Sequence, residues 1–187
     1  NDSWRMIALG FFSLGAITIL YYHIVIKKYS KKSDWYQFLI NNHLILQKIK
    51  IMRVSIYRKG HFNAAHRLYN PDWTPEENTK VFGICSNTNF HGHNYELEVK
   101  VTGELDKNSG MVMDLKALKE IIEKDVELRF DHKNLNLDCP DFEKLIPTTE
   151  NICVVIYNVL RDIIDKKFDI VVRLYETPRN YAEYPAS

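Results

Sequence analysis

Strict alternation of side chains over residues 91–104 is the feature that most constrains how this chain can fold. The apolar positions are Tyr95, Leu97, Val99 and Val101, and the polar positions between them are Glu96, Glu98, Lys100 and Thr102. A period of two residues predicts a β-strand with one buried face and one polar face. Such a strand belongs to an antiparallel sheet that is covered on one side.

The flanking segments predict the rest of an α+β domain. Residues 53–68 are rich in β-branched and aromatic side chains, which favours a first strand. Asp114 can cap one helix, and Pro147 stands at the start of a second helix that carries an apolar stripe. Residues 169–175 predict a last strand, with residues 181–184 paired beside it. We expect an antiparallel sheet with two helices on one face.

Turn chemistry gives three finer expectations. Gly60 indicates a bulge or bend in the first strand. Residues 69–89 form a long polar loop, with a helical turn around residues 75–80, and a loop of this length is usually functional. Residues 106–110 (DKNSG) predict a hairpin turn that leads into a short strand over residues 111–113.

The first 51 residues differ in charge from the rest of the chain. They hold seven basic and two acidic residues, whereas the remainder holds eighteen basic and twenty-two acidic ones. Residues 6–26 (MIALGFFSLGAITILYYHIVI) carry no formal charge, and four lysines follow within the next six residues. This length suffices for a transmembrane helix, and the lysines would keep the following domain in the cytoplasm.

Two interpretations of residues 1–51 stay open. They form a membrane anchor, or they are upstream sequence joined to a cytosolic protein that starts at Met52. The chain begins with Asn1 rather than methionine, and Met52 directly precedes the first predicted strand, so the second interpretation is favoured. The predicted organisation is an apolar and basic extension over 1–51 and a folded domain over 52–187.

Composition also narrows the partners and the compartment. The net negative charge of residues 52–187 argues against non-specific binding to nucleic acid. Cys85, Cys139 and Cys153 make an odd number, so they predict free thiols in a reducing compartment rather than a disulfide framework. We therefore expect the domain to lie in the cytoplasm, with or without an anchor.

Three histidines indicate a metal centre. His91 and His93 flank Gly92 at the start of the alternating strand, and side chains two residues apart share one face. His66 ends the first strand, so pairing of the two strands would bring three imidazoles together. Three neutral imidazoles with an open fourth position are typical of catalytic Zn²⁺, although an HxH pair alone is weak and packed histidines remain the alternative.

Four further groups are candidates for proton transfer or ligand binding. Cys85 lies in a polar loop, where a nearby cation would make its thiol a usable base, and its alternative is a buried apolar thiol. Asp131 can orient His132 for proton transfer, or merely cap a helix end. Glu176 ends an apolar strand, where it could bind an amidine-like edge or simply be solvated. Glu150 at a helix start is explained by the helix dipole alone.

Six segments in order make residues 53–184 resemble the 6-pyruvoyltetrahydropterin synthase family. They are FNAAHRL (62–68), FGICSNTNFHGHNY (82–95), GMVMD (110–114), LRFDHKNL (128–135), PTTEN (147–151) and LYET (174–177). The resemblance does not cover residues 1–51. It implies a zinc-dependent lyase that converts 7,8-dihydroneopterin triphosphate to 6-pyruvoyltetrahydropterin and eliminates triphosphate.

The resemblance also implies roles for single residues. The zinc ligands would be His66, His91 and His93; the catalytic set would be Cys85, Asp131 and His132; and the pterin would be bound by Thr148, Thr149, Glu150 and Glu176. Lys133, Arg67 and Arg179 are candidate cations for the triphosphate, and the sequence does not choose among them.

Two alternative functions stay open, a related enzyme activity and a binding module. The related 6-carboxytetrahydropterin synthase of queuosine biosynthesis acts on the same substrate, but five residues separate Cys85 from His91 here, as in the pyruvoyl enzyme. A relative that makes hydroxymethyl-dihydropterin has Glu in place of the Cys, so Cys85 counts against it. An inactive, zinc-stabilised binding module is the alternative outside enzymes, and the complete set of matched catalytic residues opposes it.

The resemblance further implies the T-fold, a four-stranded antiparallel sheet with two helices on one face. Subunits would close a barrel edge to edge as trimers, and two trimers would stack into a homohexamer with active sites between subunits. A small open sheet leaves edge strands that need pairing, which agrees with this assembly.

Overall fold

The computed structural model describes residues 52–186. The expectations for residues 1–51, including the anchor over 6–26, lie outside the described residues. Within 52–186, no helix is both long enough and apolar enough to cross a membrane.

Five strands and five helices follow one another along this part of the chain. In order they are β1 (Arg53–His66), α1 (Pro75–Phe82), β2 (His91–Glu104), α2 (Leu115–Ile122), α3 (Leu128–Phe130), β3 (Lys133–Asn134), α4 (Leu135–Asp138), α5 (Thr149–Ile163), β4 (Asp169–Thr177) and β5 (Asn180–Tyr184). A π-helical turn, Glu123–Glu127, joins α2 to α3, and single 3₁₀ turns cover Gly83–Ser86 and Pro140–Phe142.

The strands form one sheet in the order β3-β1-β2-β4-β5. The four longer strands pair antiparallel, as the sequence predicts. The sheet also has a fifth strand that was not expected: β3 is two residues long and pairs parallel to the end of β1. The fold class is confirmed as α+β, with one short strand added at the β1 edge.

The core lies between one face of the sheet and the helices. The alternating strand behaves as predicted, because its apolar side chains are buried and its polar side chains face the other way. Helix α2 begins at Asp114, whose carboxylate accepts the Lys116 amide at 2.8 Å, and α5 begins at Thr148, whose hydroxyl accepts the Asn151 amide at 3.3 Å. The cap at Asp114 confirms the sequence prediction, and the second helix starts where Pro147 predicts it, with Thr148 as its cap.

Two turn expectations were wrong. Residues 111–113 form no strand; the Asp106 amide and the Gly110 amide close a tight turn, and the chain enters α2 directly. Gly60 lies in an unbroken register opposite Leu97, so β1 has no bulge there. A Cβ at Gly60 would stand 2.6 Å from Glu127 Oε1 and 2.9 Å from Ile122 Cγ2, so this glycine serves close helix–sheet approach.

Candidate metal centre and active site

Strand register brings the three predicted metal ligands together. His66 on β1 stands directly opposite His91 on β2, and His93 follows two residues later on the same face. The ligand nitrogens of the three side chains all lie within 4.8 Å of one another. The cluster sits at the end of the sheet that is nearest to the start of α5, because His66 reaches the carbonyl of Pro147.

The donor set fits a metal ion. His66 Nε2 and His91 Nε2 are 3.1 Å apart, and among the described residues His91 Nδ1 and His93 Nε2 are buried without a hydrogen-bond partner. Buried polar atoms without partners are rare in folded proteins and call for a ligand. Three converging imidazoles with unused nitrogens are the ligand set that Zn²⁺ takes in catalytic sites.

His66 is the most constrained of the three. It is fully buried, and its Nδ1 donates to the Pro147 carbonyl at 2.7 Å, with the Tyr95 hydroxyl at 3.4 Å from the same nitrogen. Burial lowers the pKa of His66, so the ring is neutral at neutral pH. Donation from Nδ1 leaves the Nε2 lone pair directed at the cluster, which is the arrangement of a metal-bound histidine with its outer-shell partner.

The carboxylate of Glu176 lies at the cluster. Its Oε1 is 3.4 Å from His66 Nε2 and 3.6 Å from His93 Nε2, and the side chain is 20% exposed. The strand end where it stands is therefore not simply solvated.

Cys85 lies beside the same site in the 3₁₀ turn after α1. Its carbonyl accepts the Leu68 amide at 2.9 Å, which ties the turn to the chain just beyond His66. Burial, and then the charge of Glu176, raise the pKa of the Cys85 thiol. A divalent ion bound by the histidines would act in the opposite direction and lower this pKa.

Asp131 and His132 form a pair of their own. His132 Nδ1 is 2.7 Å from Asp131 Oδ2, and the other carboxylate oxygen accepts the Asn63 amide at 2.8 Å. That backbone hydrogen bond is the largest cause of the lowered pKa of Asp131. His132 has a positive φ of 58° and donates its own amide to the Asn63 carbonyl at 2.7 Å, so main-chain bonds hold a strained residue in place.

The pair lies at the β1 edge of the sheet, directly before β3. The His132 side chain is exposed and borders an open hollow that Asn63, Gly92, His93 and Asn94 also line, so one histidine of the cluster reaches the same hollow. Among the described residues, no hydrogen bond joins His132 to Cys85. The charge of Glu176 does act on the Cys85 thiol, so these two side chains lie near each other within one chain.

The residues predicted to bind the pterin in the first turn of α5 lie directly after a residue that contacts the metal cluster. Pro147, whose carbonyl holds His66, directly precedes Thr148 and Thr149, which are half-buried at the start of α5. Glu150 is exposed in the first turn and is not the cap, because Thr148 fills that position.

Sequence reasoning missed three groups that hold the candidate site residues in place, two of them in the main chain. They are the Pro147 carbonyl on His66, the Tyr95 hydroxyl beside it, and the Asn63 backbone that fixes Asp131 and His132. A carbonyl or an amide carries no residue signature, so no motif could have revealed the first and third. Arg67, a candidate for triphosphate, donates Nε to the Ser86 carbonyl at 2.7 Å and lies over the Tyr69 ring, which indicates a structural role.

Comparison with known proteins agrees with this geometry. The family model described as 6-pyruvoyl tetrahydropterin synthase matches residues 55–187. The 6-pyruvoyl tetrahydrobiopterin synthase of Pongo abelii is 43% identical over 132 residues, which are 71% of this chain and 91% of that protein. A provisionally named 6-carboxy-5,6,7,8-tetrahydropterin synthase of Archaeoglobus fulgidus is 43% identical over 72 residues only, 38% of this chain and 56% of that protein.

A solved structure extends the likeness to three dimensions. The 6-pyruvoyl tetrahydropterin synthase of Caenorhabditis elegans superposes with a TM-score of 0.68 at 37% identity, covering 73% of this chain and 98% of that one. Sequence match, near-complete coverage of the relatives and a shared fold lead to one conclusion: the chain belongs to the 6-pyruvoyl tetrahydropterin synthase family.

Proposed function

We propose that residues 52–187 form a lyase that converts 7,8-dihydroneopterin triphosphate to 6-pyruvoyltetrahydropterin with elimination of triphosphate. The observation that carries the proposal is the meeting of three histidines with Cys85 and Glu176 at one site, in a chain matched to this family over residues 55–187. The hydrogens move within the substrate side chain, so the reaction needs no redox cofactor.

We propose Zn²⁺ as the ion of the three-histidine cluster. The fit rests on the converging Nε2 atoms and on the partnerless nitrogens of His91 and His93. When bound, the ion would supply Lewis-acid polarisation of the substrate's side-chain oxygens. The protein's part is to keep the imidazoles neutral, and burial lowers the pKa values of both His66 and His91 for this purpose.

We propose that the side chains around the cluster abstract a proton from the substrate and bind its pterin ring. Cys85, as the thiolate, would take a proton from the substrate side chain. Glu176 would hold the guanidine-like edge of the pterin by two hydrogen bonds, which suits its position beside the histidines. The segment with Thr148, Thr149 and Glu150 would line the pterin pocket, since it follows directly on the Pro147 carbonyl that holds His66.

His132 would be the second proton carrier, with Asp131 holding its Nδ1 so that Nε2 is free. Because no hydrogen bond links it to Cys85 among the described residues, and because the family resemblance implies active sites between subunits, we propose that a second copy supplies it. The sheet supports this, since the outer side of β5 has no partner strand in the described residues. Strand edges of this kind favour association, and a homohexamer built as a dimer of trimers is the proposed form.

Product analysis tests the function. Purified chain is incubated with 7,8-dihydroneopterin triphosphate, and the products are identified by mass. The pyruvoyl product with free triphosphate supports the proposal, whereas a carboxy product with acetaldehyde would replace it by 6-carboxytetrahydropterin synthase. If a zinc-loaded, oligomeric preparation shows no turnover, the enzyme proposal is wrong and the alternative of a zinc-stabilised binding module is favoured. Cys85→Ala should keep zinc while turnover collapses.

The organisation of the whole chain can be tested with the same assay. We propose that the activity belongs to residues 52–187 and that the domain works in the cytoplasm. Cells that express the full chain are fractionated beside cells that express the form starting at Met52. Equal activity of both forms in the unsedimented fraction is expected; activity of the full chain confined to membranes would establish residues 6–26 as an anchor.

A further inference from the structure

Asn151, the third residue of α5, makes a contact that none of the assigned roles explains. Its Nδ2 reaches back past the start of the helix and donates to the Ile146 carbonyl at 2.8 Å. The helix cap does not need this side chain, because the cap bond joins the backbone amide of Asn151 to Thr148 Oγ1. The amide group of Asn151 is therefore available for holding the turn ahead of the helix.

That turn is fixed by two donors on one carbonyl. The Ile146 oxygen accepts the Asn151 side chain and also the Thr148 amide, which lies at 2.8 Å. The residue between them is Pro147, which has no N–H and whose ring fixes φ. Once the Ile146 carbonyl is held, one torsion remains to decide where the Pro147 carbonyl points.

The Pro147 carbonyl is the outer-shell partner of a candidate metal ligand. It accepts from His66 Nδ1 at 2.7 Å, inside a region where His66 has no solvent exposure. A fully buried imidazole has no water to replace a lost partner, so the direction of this carbonyl sets which nitrogen keeps the proton. Only the Nδ1–H form offers the Nε2 lone pair to the cluster.

We infer that Asn151 is a positioning residue for the metal centre. It acts through the Ile146 and Pro147 carbonyls to hold His66 in its metal-binding tautomer, and it holds the same turn that carries Thr148 and Thr149. This inference rests on the proposed zinc centre and adds a residue that contacts neither the ion position nor the reacting groups.

Two substitutions separate this role from helix capping. Asn151→Asp keeps the shape but places a carboxylate against the Ile146 carbonyl, which repels it. An acidic residue in the first turn of a helix is otherwise favourable, so this variant should not weaken the helix. Asn151→Ala removes the donor without adding charge. The matched controls are Asn158→Asp and Asn158→Ala, since Asn158 is exposed on the same helix and its side chain makes no hydrogen bond within residues 52–186.

Zinc affinity of the full chain, measured by competition with a chromogenic chelator, is the main readout. Both Asn151 variants should bind zinc about 10-fold more weakly than the wild type, the lower end of the effect of outer-shell partners. Both Asn158 controls should stay within about twofold. The melting temperature of Asn151→Asp should fall less in the metal-free protein than in the zinc-loaded protein, because a purely structural role would lower both by the same amount.

Three outcomes would overturn the inference. If the Asn151 variants bind zinc as tightly as the controls, while His66→Ala abolishes binding, the zinc centre stands and Asn151 has no part in it. If the metal-free variants melt lower by as much as the zinc-loaded ones, Asn151 is structural. If wild-type zinc binding does not depend on His66, the proposed zinc centre fails and the inference fails with it.

Discussion

The three-histidine cluster and the Asp131–His132 pair are built in opposite ways. The cluster is complete within one chain, buried, and fixed by the pairing of β1 with β2. The pair is exposed at the sheet edge, held by the Asn63 main chain, and has no hydrogen bond to Cys85 in the described residues. One chain therefore brings the three candidate ion ligands together, whereas it forms no hydrogen bond between the two candidate proton carriers in the described residues.

The difference teaches which part of the site depends on assembly. Ligands on neighbouring strands are as far apart as the register dictates, so folding alone positions them. His132 lies at a sheet edge, is exposed to solvent and has a strained backbone conformation. Such a residue can act in catalysis once a second subunit packs against that edge. Zinc binding should accordingly depend only on substitutions within the same chain. Proton transfer should depend on substitutions in either of two neighbouring subunits.

The largest effect should come from removing one residue of each region. His91→Ala should abolish zinc binding and with it all turnover, since two imidazoles make a poor site. His132→Ala should keep full zinc content while kcat falls by about 10²–10⁴, the usual contribution of a general acid or base. Zinc is measured by elemental analysis of the purified oligomers. Loss of zinc from His132→Ala would contradict the separation of the two regions.

Asp131→Asn should have the next largest effect. The amide oxygen can still accept the Asn63 N–H, but its NH₂ then faces His132 Nδ1, which forces the ring into the other tautomer. We expect kcat to fall by about 10²-fold or more with little change in KM. Asp114→Asn is the control, because Asn caps a helix as well as Asp does. Equal kinetics for both variants would remove Asp131 from the mechanism.

Mixing experiments should show a smaller but more direct effect. Cys85→Ala and His132→Ala chains are each inactive, and co-expression in equal amounts should restore about a quarter of the wild-type activity, because one random pairing in four joins both intact residues. Each chain expressed alone is the baseline. No recovery in verified mixed oligomers would mean that Cys85 and His132 act within one chain.

Gly60→Ala should have the smallest effect, on stability rather than chemistry. The new methyl would stand 2.6 Å from Glu127 Oε1, the same oxygen that accepts the His61 amide at 3.1 Å. We expect the free energy of unfolding to fall by about 1–3 kcal/mol, as for other overpacked sites. Adding Glu127→Ala should recover part of the loss in chemical denaturation. If the losses in unfolding free energy of the two single variants simply add in the double variant, the clash with Ile122 alone accounts for the effect of Gly60→Ala.

Much of the fold follows from local patterns in the sequence. The alternation of β2, the cap at Asp114 and the start of α5 after Pro147 appear where periodicity and turn chemistry predict them. The errors arose where a distant contact overrides the local signal. Gly60 is small because a helix lies against it, and residues 111–113 do not pair because β2 already has β1 and β4 as partners.

The sequence by itself determined the α+β class, the family and the identity of the candidate ligands, because these depend on side-chain type and spacing. The tertiary structure alone decided how they are arranged: His66 opposite His91, Glu176 within 3.4 Å of His66, and His132 exposed beside Asn63 at the β1 edge of the sheet. The physical reason is that register, carbonyl direction and sheet face are set by contacts between residues far apart in the chain, and spacing along the chain contains no record of them.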